Sequence, residues 1–210
     1  MTRLLHIVAS PRDEASQSNT LAKAYLEKRR KVDPGVTVDT IHLWQANLPE
    51  FDGDKAAAKM TFFGVGSMDD TRQSAWDEIV AITDRFRRAD EYVFAVPMWN
   101  GGVPYKLKHY IDLITQPGLL FGFDPERGYF GLLENKRAMV FYTAGVFAPG
   151  VESKYGEDFH STYLNWWLRT IGVNEIDAVR LQPSLLTPDP VGDQAAAVQR
   201  AENLASMRFQ

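Results

Sequence analysis

Apolar runs of strand length alternate along this chain with longer amphipathic segments, and that alternation restricts the fold more than any other feature. Strand, helix and strand in succession form the repeating unit of a parallel sheet covered on both faces. The runs lie at residues 4–9, 36–43, 92–96, 138–143 and 176–181. Residues 92–96 are continuously apolar, so that strand belongs at the centre, whereas residues 36–43 alternate and belong nearer an edge. Helices are predicted over residues 19–31, 70–89 with Ser67 or Asp69 as N-cap, from Pro104 onward, over 158–171 and over 193–207. Right-handed crossovers between such units give an α/β, doubly wound, five-stranded parallel sheet with helices on both faces. Two insertions interrupt the pattern. Residues 44–68 form a long connection rich in Gly, Ala and Asp, and residues 117–135 read as a β-hairpin displaying Phe121, Phe123, Tyr129 and Phe130. Residues 1–210 are expected to form a single domain.

Composition removes several function classes. With 45% hydrophobic and 24% charged residues the chain is of ordinary globular type, which excludes disorder as its main state. It has no cysteine, so a disulfide scaffold, a thiolate zinc site, an iron–sulfur centre and a cysteine nucleophile are all excluded. A net charge of -4 argues against a protein that holds nucleic acid by neutralising phosphates. The first ten residues carry one basic residue and a short apolar run, followed by Pro11-Arg12-Asp13-Glu14, which is not the pattern of a signal peptide. No stretch approaches the roughly 20 apolar residues of a membrane span. A soluble, cytoplasmic protein with no membrane and no nucleic-acid partner is expected.

Ligands of an open parallel sheet bind at the carboxyl ends of its strands, so the loops after the first, third and fourth strands matter most. The first contains Ser10 and then Ser16-Gln17-Ser18-Asn19 at the start of a helix. Backbone N–H groups at a helix start, joined by serine hydroxyls, suit a phosphate monoester, although Ser16 or Ser18 would serve equally as a helix cap. Neither a GxGxxG nor a Walker loop is present. The second is Pro97-Met98-Trp99-Asn100-Gly101-Gly102, which can line the edge of a planar heterocycle with Trp99 over part of its face. The competing reading is a helix-entry turn with a shielding Trp. The third, Thr143-Ala144-Gly145-Val146, is small enough for backbone to approach a ligand closely.

Together these loops resemble the FMN-dependent NADH:azoreductase and quinone reductase family, the AcpD-type azoreductases. Ser10 and Ser16-Gln17-Ser18-Asn19 match the family's phosphate loop, and Pro97-Met98-Trp99-Asn100 matches its flavin loop, followed by Leu107-Lys108-x-Tyr110-x-Asp112. The likeness continues through the hairpin to Tyr163-Leu164 and Ile171-Gly172. It implies a flavodoxin-like sheet of order 2-1-3-4-5 and FMN as cofactor. It also implies NADH or NADPH as donor, small-molecule quinone or azo acceptors, and a homodimer with the flavin near the interface. By that resemblance Ser10, Ser16, Gln17 and Ser18 bind the phosphate. Pro97, Met98, Trp99, Asn100 and Gly101 hold the ring, with Asn100 donating to its edge, and Thr143, Ala144, Gly145 and Val146 meet its polar end. No side chain needs to act as nucleophile or strong base, since the flavin carries the hydride. One free ring face implies that donor and acceptor alternate there, with ping-pong kinetics. The chain departs from the family at Gly101, where relatives often have Phe, and at Thr143-Ala144-Gly145-Val146, where they often have Ser-Arg-Gly-Gly. Those changes bear on the substrate pocket more than on FMN.

The remaining conspicuous residues take structural readings. His6 is expected to be a satisfied core residue, His42 to end a strand, and His109 to lie on a solvated face with Lys106 and Lys108. His160, near the start of the fourth helix, is within reach of the pocket, but a structural place is the expected one. The run Lys28-Arg29-Arg30-Lys31 reads as a solvated helix end complementing the dipole. The Trp166-Trp167 pair reads as core, and the family resemblance implies that one of the two lies at an interface. A flavodoxin-type electron carrier and an FMN-free hydrolase or interaction protein are the competing functional readings.

Overall fold

The computed structural model describes residues 2–207. In chain order the elements are β1 (Arg3–Val8), α1 (Gln17–Val32), β2 (Thr37–His42), α2 (Gly53–Thr61) and α3 (Asp70–Arg87). Then come β3 (Glu91–Pro97), α4 (Tyr105–Ile114), β4 (Phe121–Asp124), β5 (Gly128–Gly131) and β6 (Arg137–Thr143). The chain finishes with α5 (Ser161–Thr170), β7 (Glu175–Leu181) and α6 (Pro190–Met207). Five strands form one parallel sheet in the order β2-β1-β3-β6-β7, and β4 and β5 pair separately as an antiparallel hairpin. Counting only the parallel strands, this is the expected order 2-1-3-4-5.

The period-two alternation of each strand divides its side chains between two apolar layers. Leu5, Ile7, Tyr92, Phe94, Val140 and Tyr142 face α3, α4 and α5, where Phe86, Tyr110 and Trp167 pack on them. Leu4, Val93, Ala95, Met139 and Phe141 face the other way, against Leu21 and Tyr25 of α1 and Ala197 and Ala201 of α6. β3 has six consecutive buried residues and lies at the centre, as its continuous apolar run demands.

Several local expectations are corrected. The 44–68 connection contains a helix, α2, capped by the Asp52 carboxylate, which accepts from the Lys55 N–H at 3.0 Å. Helix α5 begins at Ser161, later than expected, because Asp158 stays outside it and accepts from the Ser161 N–H at 2.7 Å. Helix α6 begins earlier, at Pro190, where Asp189 accepts from the Gly192 N–H at 2.9 Å and proline fits the first turn. Arg29 is not a solvated helix end. It is fully buried and bonds Glu91 at 2.9 Å, and Arg137 reaches the same carboxylate at 2.6 Å, so one buried carboxylate joins α1, β3 and β6. Phe121 turns inward while Phe123 and Tyr129 stay exposed, so the hairpin shows fewer aromatics than expected. Trp167 is core and Trp166 is exposed.

A candidate cofactor cleft at the carboxyl ends of the central strands

The chain leaves β1 toward β2 on one side and toward β3 on the other, so the sheet's switch point falls between β1 and β3. A cleft of about 300 Å³ opens there. Its walls are the loops after β1, β3, β6 and β7, which continue the ladder past the strands. Ala9 N–H donates to Ala95 at 3.1 Å, Met98 N–H to Thr143 at 2.7 Å, and Ser184 N–H to Ala144 at 2.8 Å.

One end of the cleft is built for an anion. Ser16 is the N-cap of α1, its hydroxyl accepting from the Asn19 N–H at 3.4 Å and lying 3.1 Å from the Ser18 hydroxyl. The first N–H groups of a helix have no partners within it, and its dipole places partial positive charge there. Ser10, Ser16 and Gln17 line this end, and Arg12, not anticipated from the sequence, adds a guanidinium. Among the described residues no carboxylate lines the cleft. Hydroxyls, helix N–H groups and a cation without a competing anion fit the phosphate of FMN. Ser18 is fully buried behind Ser16, so its side chain supports this end without facing the cleft.

Pro97, Met98 and Trp99 form the next wall, and Thr143, Ala144 and Gly145 the one beside it. Trp99 and Gly102 exchange two backbone hydrogen bonds of 2.9 Å around Asn100 and Gly101. Both central residues have positive φ, 49° and 80°, the signature of a two-residue type I′ turn, for which Asn-Gly is the preferred pair. The turn therefore supplies a structural demand for Asn followed by Gly that the sequence reading did not recognise. Asn100, Gly101 and Val146 lie outside the cleft lining. Trp99 packs on Trp44 with ring centroids 5.3 Å apart, and Tyr105 meets Trp44 edge-on at 5.1 Å. Trp44 in turn donates its indole N–H to the Ala9 carbonyl at 2.9 Å. The connection after β2 thus contributes an aromatic buttress to the wall, and a lone Trp directly after a strand was its only sequence signal.

The fourth wall, Ser184 and Leu185, was also missed. It follows the weakest of the predicted strands, and the loop sequence has no recognisable motif. A Cβ on Gly145 would stand 3.0 Å from Leu185 Cδ1, so the absence of a side chain at 145 lets this loop close over the cleft.

The histidines lie apart from the cleft lining. His160 is buried beneath β6 with its ring edge-on to Tyr142 at 4.9 Å, and burial drives its pKa down to about 4. Beside it, burial raises the Asp158 carboxyl, but hydrogen bonds from Ser161 and the Arg180 charge outweigh that and hold it below the usual carboxylate range. Arg180 lies over the Tyr142 ring at 4.8 Å, and the Tyr142 hydroxyl donates to Asn165 at 2.8 Å. This cluster fastens the start of α5 under the sheet. His6 is not a satisfied core residue, since its Nε2 has no hydrogen-bond partner among the described residues, and burial lowers its pKa to about 4. His109 is not on a solvated face, because its Nε2 meets the Pro49 carbonyl at 2.9 Å and ties α4 to the 44–68 connection.

Comparison with known proteins agrees with this architecture. Residues 2–205 match a protein family described as having a flavodoxin-like fold. An FMN-dependent NADH:quinone oxidoreductase of Ruegeria pomeroyi is 58% identical over 190 residues, 90% of this chain and 93% of that one. One from Pseudomonas syringae pv. tomato, FMN-dependent NADH:quinone oxidoreductase 2, is 41% identical over 211 residues, 97% of each chain. Among solved structures, an FMN-dependent NADH-azoreductase from Bacillus anthracis in complex with FMN superposes with a TM-score of 0.88 at 24% identity, covering 100% of both chains. With a match across nearly its whole length and a relative identical at more than half of the aligned positions, the chain belongs to the flavodoxin-like family that includes these FMN-dependent NADH:quinone oxidoreductases.

Proposed function

We propose that this protein is an FMN-dependent NAD(P)H oxidoreductase that reduces quinones and azo compounds, working as a homodimer of single-domain subunits (residues 1–210) in the cytoplasm. The observation that carries the reading is the cleft at the switch point, with hydroxyls and helix N–H groups at one end and an aromatic wall at the other. The names of the 58% and 41% identical relatives support FMN, NADH and quinones.

FMN, when bound, supplies hydride chemistry that no side chain can perform. The chain's task is to bind, orient and shield. Ser10, Ser16 and Gln17, with Arg12 and the N-terminal N–H groups of α1, hold the phosphate, and Ser18 sets the Ser16 hydroxyl. Pro97, Met98 and Trp99 line the ring wall, with Asn100 and Gly101 fixing the turn that aims it. Thr143, Ala144 and Gly145, with Val146 just outside, meet the polar ring edge. Backbone N–H groups left free there would stabilise negative charge on that edge. Trp99, backed by Trp44, keeps water from one side. Hydride transfer needs reacting atoms within roughly 3.5 Å, so a donor and an acceptor that meet the same ring face would use it in turn.

Two measurements test the reading. The purified protein should show flavin absorbance that bleaches with NADH under nitrogen and returns with a quinone, and initial rates should give parallel double-reciprocal lines. Failure to oxidise NADH would leave an electron carrier or an FMN-free protein, and intersecting lines would disprove alternation. For the phosphate end the informative change is Ser16→Asp. Aspartate is as good an N-cap as serine, so α1 should persist, while its charge repels the phosphate. FMN affinity should fall about tenfold or more, equivalent to about 1.4 kcal/mol. Unchanged affinity in a fluorescence titration would remove the phosphate assignment.

A further inference from the structure

Next to the cofactor cleft lies a second one of about 700 Å³, between α4 and the connection that follows β2. Its ionisable side chains are Glu50, Lys59, Lys106, Lys108, His109 and Asp112. They do not cancel. The Lys108 ammonium is spent on Asp112, with contacts of 2.5 and 2.6 Å to the two carboxylate oxygens, and His109 is engaged by the Pro49 carbonyl. Two ammonium groups, Lys59 and Lys106, are left against the single exposed carboxylate of Glu50. Lys59 is half-buried and forms no ion pair among the described residues. Its ammonium lies 5.9 Å from the centre of the Phe51 ring. Burial pushes its pKa down, opposed by the charge of Asp112. An ammonium that has given up water without gaining a carboxylate is stabilised by an incoming anion.

The walls of the two clefts meet at a pair of aromatic rings. Tyr105 lines the second, and its ring lies 6.4 Å from that of Trp99, which lines the first. A nicotinamide dinucleotide has this shape requirement: its reactive ring sits at the cofactor, while its pyrophosphate and adenosine must rest further along the surface. The chain has no glycine-rich dinucleotide loop to receive that half. We infer that the cleft between α4 and the 44–68 connection binds the pyrophosphate–adenosine half of the nicotinamide donor, with Lys59 and Lys106 as its phosphate-binding cations. The inference rests on the donor reading proposed above and adds the residues that select for the whole dinucleotide. Tyr105 and Phe51 border the same cleft and offer aromatic surface to the adenine.

The test separates this subsite from the reaction. ADP-ribose, which lacks the nicotinamide, is titrated calorimetrically into the cofactor-loaded protein. It should bind, and Lys59→Gln combined with Lys106→Gln should weaken binding about tenfold or more, with Lys59→Arg restoring most of the loss. In steady-state assays the double variant should raise KM for NADH by a similar factor. Its kcat, its FMN content and its KM for reduced nicotinamide mononucleotide, which has no adenylate half, should stay as in the parent. Lys154→Gln, on the exposed segment before α5, serves as the control and should change none of these. Equal ADP-ribose affinity in parent and double variant would overturn the subsite, as would a KM for the mononucleotide that rises with that for NADH. A parent protein that binds ADP-ribose but never oxidises NADH would overturn the donor reading while leaving the anion site standing.

Discussion

His6 and His160 are both buried, and burial holds each imidazole neutral down to about pH 4. An unfolded histidine takes up its proton near 6.5. Between those two values the unfolded chain binds more protons than the folded one, so stability rises with pH across that window. It is fully present above about 6.5 and is lost as pH falls toward 4, at a cost of about 3 kcal/mol for each histidine at the acid limit. Carboxylates such as Asp39, held below its ordinary value of 3.8 by the Arg85 hydrogen bond, begin to lose their contribution only below about pH 5, so the upper part of the window reports the histidines. Urea midpoints measured from pH 7 to pH 4.5 should therefore decline, and His160→Phe should flatten the decline. An unchanged slope in that variant would show that His160 does not set it. The apolar run around His6 marked it as a core residue, but nothing in the chain showed that its Nε2 lacks a partner or that His160, between Phe159 and Ser161, is buried. Arg29 teaches the same lesson. In a run of four basic residues nothing marks the one whose carboxylate partner, Glu91, lies 62 positions away and 2.9 Å from its guanidinium.

Among the elements, the Asn100-Gly101 turn deserves to be tested because both readings of its sequence bear on it. Gly101 has φ 80°, and a Cβ there would also stand 3.3 Å from the Glu157 carbonyl oxygen. Gly101→Ala should cost about 1–2 kcal/mol for the left-handed backbone alone. Because the turn aims the Trp99 wall, FMN retention should fall with stability. A urea midpoint and a flavin content both equal to the parent's would show that the turn tolerates a side chain and does not position the ring wall. At this scale the strands were readable from apolar runs, since a strand buried on both faces leaves little room for other residue types. The caps were harder. Asp189-Pro190 marks the start of α6 and Asp52 the start of α2, yet the local signal is a single side chain whose geometry shows only in three dimensions.

For the whole molecule the relevant quantity is apolar surface left in water. Phe159 and Trp166 are 66% and 59% exposed and border one groove with Val103 and Tyr163, next to the Gly101–Gly102 backbone of the ring loop. Contiguous aromatic exposure of this kind is uncommon on a monomer, and a second copy of the chain would cover it. Light scattering at micromolar concentration should report a dimer. Trp166→Glu, which puts a charge in that groove, should shift the protein toward monomer and lower its FMN affinity if the partner helps close the cleft. A monomeric parent with full activity would refute both statements. The sequence by itself determined the succession of parallel strands and helices and the inserted hairpin, because hydrophobic periodicity and the handedness of strand–helix–strand crossovers are local rules that few topologies satisfy together, whereas the strand order came from the family resemblance. Only the tertiary structure decided that the loop after β7 closes the cleft, that Trp44 braces Trp99, that Arg29 is buried, and that two lysines from separate elements share one groove. The physical reason is distance along the chain. Periodicity reports on residues a few positions apart, whereas each of these contacts joins segments whose approach is settled only when the whole core packs.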